Sequence, residues 1–85
     1  MESNEIVRAQ ILQIVRNQIR ANNPPETKQT FERLKALGHS DKDAKMYIGL
    51  CVAVEIFNLL KYKKPFEEAR YIRNLKKLPE EPFDD

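Results

Sequence analysis

Glu55 is the one charged residue within residues 46–60, which are otherwise apolar apart from Gly49 and Asn58. A carboxyl group removed from water has a raised pKa, and active sites use such groups as general acids and bases. Glycosidases need a second carboxylate close to the first, and metal hydrolases need carboxylates or histidines that hold a metal ion at the same point. Nothing obvious in the sequence supplies them, so we expect an arginine to pair with Glu55 and the protein to have no enzymatic activity. The candidate partners are Arg8, Arg16 and Arg70.

Cys51 and His39 are the single cysteine and the single histidine of the sequence. One thiol cannot form an internal disulfide, and one thiol with one imidazole supplies too few ligands for the usual zinc sites. Cys51 lies among aliphatic residues, which predicts a buried and unreactive side chain. His39 follows Gly38 in a loop, where it either closes the turn or faces water. We therefore expect no catalytic residue, no metal site and no cofactor.

Four basic residues near the C-terminus are candidate contacts for an anion or a nucleic acid: Arg70, Arg73, Lys76 and Lys77. Residues 61–78 contain seven basic and two acidic residues, a net charge of +5, whereas residues 80–85 carry −4 and the whole chain +2. Domains that bind nucleic acids generally keep a clear basic face. The near-cancellation here favours a solvated surface and argues against nucleic acid as the partner. Weak nucleic-acid binding through these four residues is the alternative function.

The spacing of apolar residues predicts four helices and no strand. The helices span about residues 5–21, 24–37, 41–62 and 67–77. Asn23 is placed to cap the second helix with Pro24 in its first turn, and Gly38 supplies the left-handed residue that ends it. Ser40 is placed to cap the third. Gln18 lies within the apolar stripe of the first helix, where it needs a hydrogen-bond partner if it is buried.

The third predicted helix is apolar on every side. At 100° per residue, the apolar residues between Met46 and Leu60 cover its whole circumference, so it must be surrounded by the other helices or by a second subunit. Gly49 and Ala53, four residues apart, permit a close helix crossing. We therefore predict an all-α fold. It is a compact four-helix domain over residues 1–79 with the third helix at its centre, followed by an acidic tail over residues 80–85.

An apolar helix that one chain cannot cover points to an interface, because large exposed apolar patches usually mark interfaces between proteins. We expect a small protein–protein interaction module that forms a homodimer or binds an unidentified protein partner. The residues predicted to form this contact, together with apolar residues of the first helix, are Tyr47, Leu50, Val54 and Phe57.

Length and composition limit the class of protein. With 85 residues, 41% of them hydrophobic and 33% charged, the chain has the size and composition of one globular domain. No apolar run reaches the roughly 18 residues that a membrane-spanning helix needs. Residues 1–5 lack the basic start of a signal peptide. We therefore expect a cytoplasmic protein with no membrane association.

A series of short motifs follows the same order as in a known group of proteins. They are Asn23-Pro24-Pro25-Glu26, Thr30-Phe31-Glu32-Arg33-Leu34, Gly38-His39-Ser40, Glu55-Ile56-Phe57, Lys64-Pro65-Phe66 and Arg70-Tyr71-Ile72. In these the chain resembles short bacterial all-helical proteins that carry the label of a domain of unknown function. Such proteins have histidines around the first and third helices, at places that correspond here to Arg8, Leu12, Asp43 and Tyr47. The resemblance therefore implies the fold and no activity.

Overall fold

A computed structural model describes residues 2–80 of the chain, with side chains from residue 5 onward. It contains four α-helices, α1 (Glu2–Ala21), α2 (Pro25–Ala36), α3 (Asp41–Tyr62) and α4 (Glu68–Lys77). The residues described form no strand, and the predicted all-α, four-helix fold is confirmed. Of the predicted acidic tail, residues 81–85 lie outside the described part of the chain.

The turn between α2 and α3 follows from its sequence. Gly38 has a φ of 103°, in the left-handed region that favours glycine. The Ser40 hydroxyl then accepts a hydrogen bond from the backbone N–H of Asp43 at 3.0 Å, which satisfies a free donor in the first turn of α3. α3 accordingly starts and ends at the predicted residues.

The starts of α2 and α4 each lie one residue later than predicted. Pro24, rather than Asn23, is the N-cap of α2, with extended backbone at φ −73° and ψ 153°, and Pro25 opens the helix. Glu67 is the N-cap of α4 and makes no capping hydrogen bond with its own side chain. A side chain from α3 takes that role, as described below.

α3 packs against each of the other three helices and supplies much of the buried core. The buried apolar residues are Val15, Leu34, Ala44, Ile48, Cys51, Val52, Tyr71, Leu75 and Leu78. Gly49 lies where α1 crosses α3, and a Cβ atom there would be 3.3 Å from Cγ2 of Ile11. The glycine therefore lets the two helices approach closely, as its position in the sequence predicted.

The three other helices leave one side of α3 uncovered. Met46 is 41% exposed, Leu50 47%, Phe57 56% and Leu60 73%. At 100° per residue these side chains fall within a sector of about 80°, on the opposite side of α3 from the core residue Ile48. The sequence left two alternatives for covering α3, the other helices or a second subunit, and within residues 2–80 the other helices do not cover this side. No helix within residues 2–80 is both long and apolar enough to cross a membrane.

Candidate functional site

The uncovered side of α3 carries an apolar stripe. We call it the α3 face, and its residues are Met46, Leu50, Ala53, Phe57 and Leu60. Successive members lie four, three, four and three residues apart. This alternation is the 3.5-residue repeat with which one helix packs along another in a coiled coil. The face can therefore receive a second helix along about four turns of α3.

A groove lies beside the α3 face, where α1 crosses α3. It encloses about 260 Å³. It is lined by Val7, Arg8, Ile11 and Leu12 of α1 and by Met46, Gly49, Leu50 and Ala53 of α3. Its lining is mostly apolar, and the exposed side chains of Ile6 and Val7 extend the apolar surface along α1. The α3 face and this groove form one continuous surface.

The predicted contact residues occupy two different positions relative to this surface. Leu50 and Phe57 lie on the α3 face, whereas Tyr47 and Val54 are half-buried at its edge. The ring of Tyr47 packs edge-to-face against His39, with centroids 5.1 Å apart. The histidine thus closes the turn by packing. Its contact turns Tyr47 away from the centre of the α3 face.

Three members of the α3 face were missed by sequence reasoning: Met46, Ala53 and Leu60. Their signal is present in the sequence, because the heptad spacing that joins Leu50 to Phe57 also runs through them. It was hidden because most of the other positions between Met46 and Leu60 are apolar as well. An apolar stripe can be recognised in a sequence only when the helix positions beside it are polar.

Charged residues mark the two ends of α3. Asp41 and Asp43 lie in its first turn and Lys61 lies in its last. The Lys61 ammonium lies 5.3 Å from the centroid of the exposed Phe57 ring. The hydrogen bond from Lys45, with the charges of Lys45 and Lys35, lowers the pKa of Asp41 by more than desolvation raises it. Lys42 and Lys45 balance the two carboxylates, so the N-terminal end of α3 carries no net charge, whereas its C-terminal end is basic.

Glu55 lies on the opposite side of α3 and is fully buried. Its Oε2 accepts a hydrogen bond from Nε of Arg70 at 2.6 Å, and its Oε1 accepts one from Nη2 at 2.9 Å. Oε1 also accepts from the backbone N–H of Glu67 at 2.9 Å. Among the three arginines that the sequence offered as partners, Arg70 is the one that pairs with Glu55. The same carboxylate caps the N-terminus of α4.

The pKa of Glu55 moves in the direction opposite to the one that burial alone would give. Burial raises the pKa, but the hydrogen bonds from Arg70 and Glu67, with the charges of Arg70 and Arg73, lower it by more. The net result is a pKa below the ordinary value of a glutamate. This carboxylate is therefore one partner in a structural ion pair with an arginine.

The pairing also corrects the predicted set of anion contacts. Arg70 is 5% exposed and its guanidinium binds Glu55, so it is not part of a basic surface. Arg73, Lys76 and Lys77 are exposed on α4. Of the four basic residues that the sequence suggested, Arg70 therefore lies in the core and the other three lie on the surface. Arg70 is buried because it lies one helical turn before the buried Asn74, on the inner side of α4.

A second polar cluster joins three helices. Oε1 of Gln18 on α1 accepts hydrogen bonds from the hydroxyl of Thr27 on α2 at 2.8 Å and from the hydroxyl of Tyr71 on α4 at 2.7 Å. The two hydroxyl oxygens lie 3.0 Å apart. Burial raises the pKa of Tyr71 well above its ordinary value. Gln18 thus has the partners that its place in an apolar stripe required.

The remaining candidates for chemistry are buried or isolated. Cys51 is fully buried, and burial, with the nearby charge of Glu55, raises the pKa of its thiol to about 12. The prediction of a buried side chain is confirmed. Among the residues described, no group of three or more histidine, cysteine, aspartate or glutamate side chains is arranged to hold a metal ion.

Comparisons with known proteins return no match: no protein-family model, no curated protein and no solved structure matches this sequence. The resemblance to short bacterial all-helical proteins therefore stays a prediction, and the function must be argued from the surface itself.

Proposed function

We propose that this chain is a non-catalytic protein–protein interaction module that forms a homodimer through the α3 face and the adjoining part of α1. The observation that carries the proposal is the exposure of apolar side chains along four turns of a helix that packs against α1, α2 and α4, with Leu59 and Tyr62 near its C-terminal end also exposed on its other side. Water-exposed apolar stripes of this length are unfavourable in a monomer and are stabilised when a partner covers them.

A second copy is the simplest partner for such a surface. A two-fold dimer uses the same patch on both subunits, so an apolar patch is covered by another apolar patch of equal size. The groove beside the face offers the concave part of the surface, and the Phe57 side chain offers a convex part. One chain therefore supplies both complementary shapes.

The state of the buried reactive groups supports the absence of catalysis. Glu55 is ionised and hydrogen-bonded at both oxygens, and Cys51 has a thiol whose pKa is about 12. A general acid or a nucleophile needs a pKa near the working pH and access to a substrate. Neither Glu55 nor Cys51 combines such a pKa with access to a substrate.

The test is the solution mass, measured by light scattering on a sizing column over a range of concentrations. We expect the wild-type chain to have the mass of a dimer and to dissociate on dilution. We expect Phe57→Asp to raise the dissociation constant by about 30-fold or more, since it places a charge at the centre of an apolar contact. Phe57 is exposed within one chain, so the helical circular dichroism of the variant should stay that of the wild type.

The matched control is Leu37→Asp. Leu37 is an exposed leucine at the end of α2, outside the α3 face, and the same charge there should leave the mass unchanged. A wild-type chain that stays monomeric and folded at every concentration would contradict the homodimer. Equal effects of the two substitutions would contradict the assignment of the α3 face.

A further inference from the structure

We propose that the two copies pair with their α3 helices antiparallel, and that Phe57 of each copy inserts between Met46, Gly49, Leu50 and Ala53 of the other. This arrangement rests on the proposed dimer and specifies its geometry. Four observations point to it: the spacing of the groove residues, the size of the groove, the small residues near its centre, and the charges at the two ends of α3.

The groove has the spacing of a coiled-coil hole. In such packing, one side chain inserts between four residues of the facing helix at positions i, i+3, i+4 and i+7. The four α3 residues that line the groove, Met46, Gly49, Leu50 and Ala53, have this spacing. The side chains of Ile11 and Leu12 on α1 pack over Gly49 and line the hole on that side.

The size of the groove suits an aromatic ring. A cavity of about 150 Å³ lined by apolar side chains is large enough for benzene. The groove encloses about 260 Å³, so it holds the ring of a phenylalanine from a second copy. Phe57 is the aromatic side chain of the α3 face and is 56% exposed within one chain.

The register of the pairing follows from this insertion. If Phe57 of one copy lies opposite the centre of the hole, between Gly49 and Leu50 of the other, the two-fold axis passes close to Ala53. Ala53 of one copy then faces Ala53 of the other, and Met46 of each copy faces Leu60 of the other. A small residue at the axis lets the helices approach to about 8 Å, the short end of the usual range for packed helices. All five members of the α3 face are used.

The charges of α3 select the antiparallel direction. Asp43 and Lys61 are 18 residues apart, which is five helical turns, so they lie on the same flank of the helix. Antiparallel pairing brings Asp43 of one copy near Lys61 of the other, twice by symmetry. Parallel pairing would leave Asp43 and Lys61 at opposite ends of the interface, where neither meets the other. Antiparallel helix dipoles add to the same preference.

Cross-linking through single introduced cysteines tests the direction. Asp43→Cys and Lys61→Cys are prepared as separate chains, mixed, and treated with a short bismaleimide. We expect the mixture to give a cross-linked dimer of one chain of each kind, in large excess over the products of either chain alone. Ala53→Cys should form a disulfide with its own copy on mild oxidation. The wild-type chain is the control, because its Cys51 is fully buried.

The outcomes separate this arrangement from the dimer itself. If Asp43→Cys or Lys61→Cys cross-links mainly with itself while the chain stays dimeric, the antiparallel pairing is wrong and the homodimer stands. A dimer in which neither the mixture nor Ala53→Cys cross-links also overturns the pairing. A chain that is monomeric in light scattering overturns the proposed function, whatever the cross-linking gives.

Charge reversal supplies an independent measurement. Asp43→Lys alone or Lys61→Glu alone should raise the dissociation constant of the dimer by about 2- to 30-fold, the range expected from losing two exposed ion pairs. The double variant should restore the wild-type value, because the pair is re-formed with the charges exchanged. In a parallel dimer Asp43 and Lys61 would not meet, so the second reversal would not rescue the first, and that result would overturn the pairing.

Discussion

The carboxylate of Glu55 on α3 accepts two hydrogen bonds from the guanidinium of Arg70 on α4, at 2.6 and 2.9 Å. Its third bond comes from the backbone of Glu67, the N-cap residue of α4. One side chain therefore neutralises a buried arginine and caps a helix that makes no cap of its own. This pair fixes the start of α4 on α3, and α4 in turn covers part of the core.

Removing the charge of Glu55 should destabilise the fold strongly. Glu55→Gln removes the carboxylate that the Arg70 guanidinium binds with two hydrogen bonds and leaves it the more distant, exposed Glu67 carboxylate, 3.8 Å away. Breaking a buried pair in this way costs about 3–5 kcal/mol. We expect the free energy of unfolding, measured by urea titration, to fall by that amount. The control is Glu32→Gln on the exposed side of α2, which should change it by less than about 0.5 kcal/mol.

Replacing both partners distinguishes a lost pair from a damaged core. The double variant Glu55→Leu, Arg70→Leu removes both buried charges, and such replacements are often close to neutral. We expect it to be more stable than Glu55→Gln in the same titration. A double variant that is the less stable of the two would argue that the ion pair itself, and not the uncompensated charge, holds α4 in place.

Acid should destabilise the protein through the same residue. The folded-state pKa of Glu55 is lowered, so its contribution to stability is fully present above the unfolded pKa of about 4.3. That contribution is lost as the pH falls from the unfolded pKa to the lower folded pKa. Over this range the unfolded chain binds a proton at Glu55 and the folded chain does not. Urea titrations at a series of pH values should show the gap between wild type and Glu55→Gln narrowing below about pH 4. A gap that stays constant on acidification would contradict the lowered pKa.

The hydroxyl of Tyr71 should contribute to stability through Gln18. Tyr71→Phe removes one of the two donors to Oε1 of Gln18 and leaves the ring in the core. We expect the free energy of unfolding to fall by about 1 kcal/mol. Tyr62→Phe, at an exposed position, is the matched control and should have little effect. Equal losses in the two variants would show that the link between α1 and α4 adds nothing.

The thiol of Cys51 should be unreactive in the folded protein. The thiolate is the reacting species, and a pKa of about 12 with full burial leaves almost none of it accessible. We expect labelling by Ellman's reagent at neutral pH to be slow in buffer and to accelerate in urea in step with unfolding. Rapid labelling without urea would show that α3 opens readily on its inner side.

The cap at the start of α3 should be measurable as well. Ser40→Ala removes the acceptor of the Asp43 N–H, and losses of this kind cost about 0.5–2 kcal/mol. Ser40→Asp keeps an acceptor and should stay close to the wild type in the same thermal or urea unfolding. If alanine is tolerated as well as aspartate, the boundary of α3 depends on Gly38 and packing alone.

Local chemistry made the helix boundaries predictable. Gly38 and Ser40 act within a few residues of themselves, so the end of α2 and the start of α3 can be derived without knowing the rest of the fold. Gln18 was recognised as a residue that needs a partner. Its partners, Thr27 and Tyr71, come from other helices, and which residues they are depends on how the helices cross.

The α3 face and the Arg70 pair could not be derived in the same way. The apolar residues of α3 cover its whole circumference, so the sequence does not show which side of this helix faces the core. The side left uncovered depends on where α1, α2 and α4 pack. Arg70 was grouped with the exposed cations by its charge. The four-residue spacing of Arg70, Asn74 and Leu78, all buried, is the signal that placed it on the inner side of α4.

The pairing of Glu55 with a residue 15 positions later also orders events during synthesis. As the chain leaves the ribosome, α1, α2 and α3 emerge before α4 is complete. Until Arg70 has left the exit tunnel, α4 cannot pack on this side of α3, and the Glu55 carboxylate stays in water. The side of the core that carries Glu55 is therefore closed only after α4 has been synthesised.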